Sequence, residues 1–177
     1  EVGGQPVVDP NLCRWCGDCA GGCSTDARLQ VGSVMTESRV LAEIERDAAM
    51  HRASGGGVTF TGGEPLLQAD FLVRLLDLCR ARGIHAAVDT CGAAPAEVVD
   101  RVADRADLFL FDLKHMDDEA HRRMAGSSNR DVLDNLRRLA RRTAAVRLRV
   151  PVIRRMNDDE SHLRRLAAFV LELGWSA

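Results

Sequence analysis

The sequence predicts an α/β protein with parallel strands, preceded by a small cysteine-rich segment. After residue 55, short β-branched or aromatic runs alternate with helical patterns, which is typical of βα units whose helices lie outside a parallel sheet. Four of the six cysteines lie between positions 13 and 23. With 177 residues, 46% of them apolar, the chain has enough hydrophobic side chains for one core.

The charge composition bears on possible partners. Lys and Arg number 24 against 26 Asp and Glu, a net charge of -2, so the chain lacks the basic field that attracts nucleic acid. No apolar run approaches membrane-spanning length, and the first residues lack the charged and apolar regions of a signal peptide. We therefore expect a cytoplasmic protein without a nucleic-acid or membrane partner.

The cysteine-rich segment predicts an iron-sulfur site. Its C-x2-C-x2-C-x3-C motif consists of Cys13, Cys16, Cys19 and Cys23. This is the spacing of the bacterial ferredoxin run for a 4Fe-4S cluster, whereas zinc sites more often use two separated C-x2-C pairs and a disulfide framework would imply secretion. In two-cluster ferredoxins the fourth cysteine serves the other cluster, so the fourth ligand of Cys13, Cys16 and Cys19 stays open. Cys79 and Cys91 stand alone and are predicted to be small core residues.

The first elements after this segment are a helix, a strand and a second helix. Thr36 is the predicted cap of a helix whose apolar face carries Val40, Leu41, Ile44 and Ala48. A strand over 58–61 follows. The next helix is predicted to begin at Asp70, an N-cap, and to stop at Gly83.

Three further strands continue the alternation. They are predicted over 85–90, 108–113 and 146–153. The helical patterns between and after them begin at Pro95 and cover 119–124, 132–139 and 163–173.

The turn Gly62-Gly63-Glu64-Pro65 joins two residues without side chains to a carboxylate and a rigid ring. Such a turn either lets a polar ligand approach the backbone or is an ordinary connection from strand to helix, and its local sequence leaves both open. The Glu64 carboxylate can accept a hydrogen bond from an ammonium group.

Polar groups follow all four predicted strands. Ligands of parallel α/β sheets bind beyond the carboxyl ends of the strands, so these groups are expected to meet. They are Gly62, Gly63, Glu64, Asp89, Thr90, Asp112, Lys114 and Arg149. Each of them alone is compatible with a helix cap or a surface charge, but together they suit a zwitterionic ligand that carries hydroxyl groups. Lys114 is the only lysine of the chain, which hints at a position that Arg cannot fill.

Four segments resemble the glycyl-radical-enzyme activating family of radical S-adenosylmethionine (SAM) enzymes, which is typified by pyruvate formate-lyase activating enzyme. They are GGGVTFTGGEPLLQ, GIHAAVDTCG, DLFLFDLKHMDDEAHRRMAGSSN and VRLRVPV, and they occur in the family's order. The cysteine run is similar to the insertion of a ferredoxin-containing subgroup. The resemblance implies a ferredoxin-like 4Fe-4S insert over 1–33 and a partial radical SAM (βα) barrel over 34–177.

The resemblance also implies a site and a reaction. The residues that it places around SAM are Gly62, Gly63, Glu64, Asp89, Asp112, Leu113, Lys114 and Arg149, with a backbone contact at Gly63 and Glu64 near the amino group. In such enzymes a reduced 4Fe-4S cluster splits SAM to a 5'-deoxyadenosyl radical, which takes a hydrogen atom from a glycine of a partner glycyl radical enzyme. A low-potential donor such as flavodoxin or ferredoxin is the implied source of electrons.

One family motif is missing from the sequence. No C-x3-C-x2-C spacing occurs, so we expect an internal fragment that is inactive alone, with a degenerate paralogue as the alternative. Arg154 and Arg155 also stand where relatives usually have Pro-Gly. Two other functions stay open: a non-catalytic iron-sulfur electron-transfer module, and another radical SAM enzyme such as a ribonucleotide reductase activator or a peptide maturase.

Overall fold

The computed structural model describes residues 8–9, 11–25, 27–142 and 145–175. The chain divides into two compact units, Glu1–Met35 and Thr36–Ala177. Part of the predicted insert over 1–33, namely residues 1–7, 10 and 26, lies outside the described residues.

The described residues of the first unit include one short helix, α1 (Asp18–Gly21), which the sequence patterns did not predict. The helix follows Gly17, whose φ of 84° lies in the left-handed region that favours glycine. A methyl group added to Gly17 would stand 2.6 Å from the Gln30 side-chain oxygen. The backbone conformation therefore favours glycine in the turn between the second and third cysteines of the motif, whereas the flexible Gln30 side chain can move aside.

The second unit is built on a four-stranded parallel sheet, so the predicted α/β class is confirmed. The strands are β1 (Gly57–Phe60), β2 (His85–Thr90), β3 (Leu108–Asp112) and β4 (Ala145–Arg149). They pair in the order β1-β2-β3-β4, and every pair is parallel. All four carboxyl ends therefore lie at one edge of the sheet, which we call the rim.

In the part of the second unit that the structure describes, seven helices connect the strands or flank them in sequence. They are α2 (Glu37–Arg46), α3 (Ala48–Ser54), α4 (Ala69–Ala81), α5 (Ala96–Ala103), α6 (Asp118–Ala125), α7 (Arg130–Ala140) and α8 (Glu160–Glu172). Side-chain caps satisfy the first free N–H groups of α2, α6 and α8, where Thr36, Asp117 and Asp159 accept from the backbone three residues on.

The hydrophobic core lies between the sheet and its helices. Phe109 and Phe111 of β3 are fully buried, and so are Leu76 of α4 and Leu136 of α7. The Phe111 ring packs so closely against Gly92 that a methyl group added there would stand 2.3 Å from Cζ. Packing thus fixes the backbone just after β2 against the side chain just before the end of β3.

Three predicted boundaries are wrong. Asp70 does not cap α4, because a 3-10 turn over Pro65–Gln68 precedes the helix and Asp70 lies in its first turn, where it pairs with Arg101 at 2.6 Å. The fourth strand ends at Arg149 instead of continuing to 153, since Pro151 has no N–H to donate to a ladder. Ala48 begins α3, a separate helix after a break at Asp47.

None of the helices in the described ranges is long and apolar enough to cross a lipid bilayer.

Arg155, in the connection from β4 to α8, has a backbone conformation that favours glycine. Its φ is 65°, and the side chain is exposed. Replacing Arg155 with Gly should therefore raise the free energy of unfolding by up to about 1 kcal/mol, because it removes the clash between Cβ and the backbone. Urea unfolding of the variant and the wild type measures the difference.

Arg154 provides a matched control, since it is also exposed but does not have a positive φ. Arg154→Gly should lower the stability by about 0.4–1 kcal/mol, because the unfolded chain gains freedom and no strain is relieved. Equal losses in the two variants would show that Arg155 is not strained.

Candidate functional site

Charged side chains from three strands meet at the rim. In the sheet register Asp112 lies opposite Arg149, and Asp89 lies opposite Leu110, two residues before Asp112. Side chains two residues apart point to the same face of a sheet, so these three charged groups share one face. The Arg149 guanidinium contacts both carboxylates, with 2.8 Å between Nε and Asp112 Oδ1 and a close ion pair between Nη2 and Asp89 Oδ1.

Lys114 extends this row of charges. Its Nζ lies 3.9 Å from Asp112 Oδ2, so the row runs Asp89, Arg149, Asp112, Lys114. Each of the four side chains is between 23% and 39% exposed, so the row is reachable from solvent. Hydrogen bonding from Arg149 to Asp112, and then to Asp89, raises the pKa of the guanidinium further above its already high value. We call these four residues the charged row.

The glycine turn beside β1 is open towards its surroundings. Gly62 has a φ of 146°, which favours glycine, but a methyl group added to Gly63 would meet no described atom within 4 Å, and Gly63 does not have a positive φ. Neither packing nor backbone conformation therefore explains the absence of a side chain at Gly63. Close approach by a ligand would explain it.

The Glu64 carboxylate accepts four hydrogen bonds within the chain, although the sequence suggested a free acceptor. Oε1 accepts from Leu66 N at 3.1 Å and from Thr90 Oγ1 at 2.6 Å. Oε2 accepts from the backbone N and the Sγ of Cys91, at 3.0 and 3.1 Å. These contacts join the turn after β1 to the end of β2.

Two residues lie differently from the sequence-based expectation. Leu113 is fully buried in the core and its N–H donates to Arg149 O, so its side chain supports the rim from below and does not line it. Cys91 is not a core residue like the buried Cys79, because it is half-buried and donates its thiol to Glu64. Burial, followed by the hydrogen bond to Glu64, raises the pKa of the Cys91 thiol and keeps it protonated.

The four cysteines of the first unit are not gathered around a common point. Among the described residues, no group of three or more His, Cys, Asp or Glu side chains could hold a metal ion as placed. Two local features nevertheless suit a thiolate ligand set: Trp15 N donates to Cys13 Sγ at 3.4 Å, and hydrogen bonding from Thr25 lowers the pKa of Cys23 to about 7. The chemistry of these sulfur atoms therefore fits an iron-sulfur cluster, but the positions of the four cysteines do not bring them around one.

Buried amide side chains hold the loops beyond the strand ends, and the sequence patterns did not single them out. Asn157 donates to Lys114 O at 2.9 Å and to Pro151 O at 2.7 Å, which links the ends of β3 and β4. Asn135 of α7 donates to Gly92 O and to Ala94 O beyond β2. In the sequence, Asn135 is a lone Asn within a helical pattern and Asn157 stands in a polar stretch, and neither signal is strong enough to identify a partner.

Two histidines stack next to Lys114. The rings of His115 and His162 lie 4.3 Å apart, both side chains are buried, and Nε2 of His162 has no partner among the described residues. Burial, and then the neighbouring His115, lowers the pKa of His162. The stack joins the start of α8 to the segment that follows β3.

Comparison with known proteins shows one consistent relationship. Residues 10–167 match the radical SAM superfamily. The chain is 38% identical over 169 residues to the isethionate sulfite-lyase activating enzyme of Oleidesulfovibrio alaskensis, which covers 94% of this chain and 55% of that protein. It is 42% identical over 146 residues to the choline trimethylamine-lyase activating enzyme of the same organism. That match covers 82% of this chain and 47% of that protein.

A solved structure shows the same fold. The crystal structure of a domain of pyruvate-formate lyase-activating enzyme from Bacteroides vulgatus aligns with a TM-score of 0.62 and 43% identity, over 65% of this chain and 71% of that chain. The chain spans about half the length of the curated relatives it matches.

The buried His162 should make stability depend on pH. Because its pKa in the folded protein lies below the ordinary value of 6.5, the unfolded chain binds a proton first as the pH falls. The contribution of His162 is therefore complete above pH 6.5 and is lost as the pH falls from there towards the folded pKa. Urea unfolding between about pH 7.5 and pH 5 measures this loss.

In a His162→Gln variant, the free energy of unfolding should depend less strongly on pH over the same range. His85→Gln is the matched control, since His85 is exposed and this change should leave the dependence as it is. If the free energies of unfolding of the wild type and of His162→Gln changed equally with pH, His162 would not be the source of the pH dependence.

Proposed function

The chain belongs to the radical SAM superfamily, and from this premise we propose that it forms the SAM-binding part of a glycyl-radical-enzyme activating enzyme. The family match, the four parallel strands and the similar solved structure together identify its fold as a partial radical SAM barrel. The relatives are activating enzymes of several glycyl radical enzymes, and the chain covers about half of each. Activity and partner therefore belong to the full-length protein.

The charged row is the observation that carries this proposal. The methionine part of SAM has an ammonium and a carboxylate group, and the row offers two carboxylates and two cations on one face of the rim. Asp89 and Asp112 suit the ammonium group, and Lys114 and Arg149 suit the carboxylate. Each of these side chains already has partners within the row, so ligand groups would exchange with existing ion pairs.

The glycine turn is the proposed second wall of the SAM site. Gly62 and Gly63 face open space and present backbone groups without obstruction. Leu113 belongs to the site through its backbone, because its side chain is buried beneath the row. This assignment extends the site over the ends of β1, β2, β3 and β4.

The cysteine run is proposed to hold a second cofactor. Cys13, Cys16, Cys19 and Cys23 would ligate a 4Fe-4S cluster, on the strength of their spacing and of the N–H bond to the Cys13 sulfur. Such a cluster supplies low-potential electron transfer when it is bound. The ligands of the SAM-binding cluster are assigned to the part of the full-length protein beyond these 177 residues, because no C-x3-C-x2-C spacing occurs here.

We assign the remaining roles from the relatives. The protein substrate would be a glycyl radical enzyme, which loses a hydrogen atom from a glycine. The electron donor would be a low-potential protein such as flavodoxin or ferredoxin, as the family resemblance implies. We also propose a cytoplasmic location. The residues of this chain would bind and orient SAM beside the rim.

The SAM site can be tested with S-adenosylhomocysteine, which binds without reacting. Gly63→Ala should weaken binding about tenfold, equivalent to about 1.4 kcal/mol, because the methyl group would occupy space that the ligand needs. The same change should leave the melting temperature unchanged or slightly raised, since it restricts only the unfolded chain. Isothermal titration and thermal unfolding measure the two effects.

Gly21→Ala is the control for this experiment. A methyl group added to Gly21 would also meet no described atom within 4 Å, but this residue lies in the first unit. It should bind the ligand as the wild type does. Unchanged affinity in Gly63→Ala would remove the glycine turn from the site, and a wild-type chain that does not bind would refute the site as a whole.

The catalytic proposal requires the full-length protein, reconstituted anaerobically with iron and sulfide. After reduction it should cleave SAM to 5'-deoxyadenosine. Cys16→Ser should lower the bound iron by up to about four atoms per chain, because it removes a cluster ligand. Iron analysis and chromatography of the nucleoside products measure both results.

Cys91→Ser is the matched control, because it keeps a hydroxyl donor for Glu64 and alters no proposed ligand. Its iron content should equal that of the wild type. Absence of 5'-deoxyadenosine from the wild-type reaction would rule out activase function, and equal iron in Cys16→Ser would rule out the cluster assignment.

A further inference from the structure

We propose that Glu64 is a positioning residue that fastens the glycine turn to the end of β2, and that it does not bind SAM itself. This inference rests on the proposed SAM site. It differs from the expectation that the Glu64 carboxylate receives the amino group of the ligand.

The hydrogen-bonding capacity of the Glu64 carboxylate is already filled. An ionised carboxylate offers about four acceptor positions, and Glu64 already receives four donors from within the chain. Two donors reach each oxygen, at distances from 2.6 to 3.1 Å. An incoming ammonium group would have to displace at least one of them.

One of the donors to Glu64 is buried. Thr90 is only 3% exposed, and its hydroxyl both donates to Glu64 Oε1 and accepts from Gly92 N at 2.9 Å. If Glu64 turned towards a ligand, this hydroxyl would lose its acceptor in a buried place. The ligand would therefore have to offset that loss before it gained anything from the carboxylate.

The hydrogen bonds of Glu64 belong to a larger connected structure. Gly92 N donates to the Thr90 hydroxyl, and the Asn135 side chain donates to Gly92 O at 2.9 Å. Gly92 also packs against the Phe111 ring. Glu64 thus attaches the turn after β1 to a rigid assembly that includes β2, β3 and α7. The position of the Gly63 backbone relative to Asp89 and Asp112 depends on this attachment.

The test uses variants of Thr90, which is too deeply buried to touch a ligand at the rim. Thr90→Val has nearly the same shape but gives Glu64 no donor, so we expect S-adenosylhomocysteine to bind about tenfold more weakly. Thr90→Ser keeps the hydroxyl and should bind like the wild type. If Glu64 bound the ligand directly, Thr90→Val would free an acceptor position, and unchanged or tighter binding would overturn the proposal.

A destabilised control separates positioning from general loss of stability. Val102 of α5 is fully buried, and Val102→Ala lowers stability through a cavity without altering the Glu64 contacts. This variant should keep wild-type affinity even where its melting temperature falls as far as that of Thr90→Val. Equal loss of affinity in both variants would show that the effect of Thr90 is not specific.

A measurement on the unaltered chain remains decisive if Thr90→Val does not fold. The backbone N–H groups of Leu66 and Cys91 both donate to Glu64, so their hydrogen exchange reports whether the carboxylate stays in place. With saturating S-adenosylhomocysteine, both exchange rates should be equal or slower. Exchange of both groups about tenfold faster would show that Glu64 leaves them for the ligand, and failure of the wild type to bind at all would instead refute the proposed site.

Discussion

The site depends on one constraint, which is that four hydrogen-bonded strands run in the same direction. Parallel pairing brings the end of every strand to a single edge, and the register of β3 with β4 sets Asp112 opposite Arg149. A shift of one residue in that register would turn one of these side chains to the other face of the sheet. The ion pairs of the rim therefore follow from the backbone ladder and from the buried core that fixes it.

Within the sheet, the backbone groups of neighbouring strands bond to each other. Beyond the strand ends, side chains bond to the backbone of the loops instead. Glu64 accepts from the backbone after β1 and β2, Asn135 donates to carbonyls after β2, and Asn157 donates to carbonyls after β3 and β4. Each is a buried or half-buried group with its hydrogen bonds satisfied. The loops that surround the rim are thus held by long-range polar contacts as well as by packing.

The sequence predicts those features of this protein that local patterns encode. Strand β2 has the predicted bounds, and Asp89, Asp112 and Arg149 meet because topology alone brings strand ends together. The partners of Glu64 could not be predicted, since Thr90 lies 26 residues away and no periodicity links the two positions. The end of β4 was missed because a hydrophobic pattern continues past Pro151, where hydrogen bonding cannot.

The charged row also has a consequence for discrimination among ligands. It contains two acidic and two basic groups in close contact, so its own charges balance before anything binds. A ligand with both an ammonium and a carboxylate group can exchange partners with the row and leave every charge matched. A ligand with only one of these groups would leave one member of the row without a counterion, which costs free energy in a partly desolvated place. In the proposed site, the neutrality of the row would therefore favour ligands that carry both groups of an amino acid, independently of the shape of the rest of the ligand.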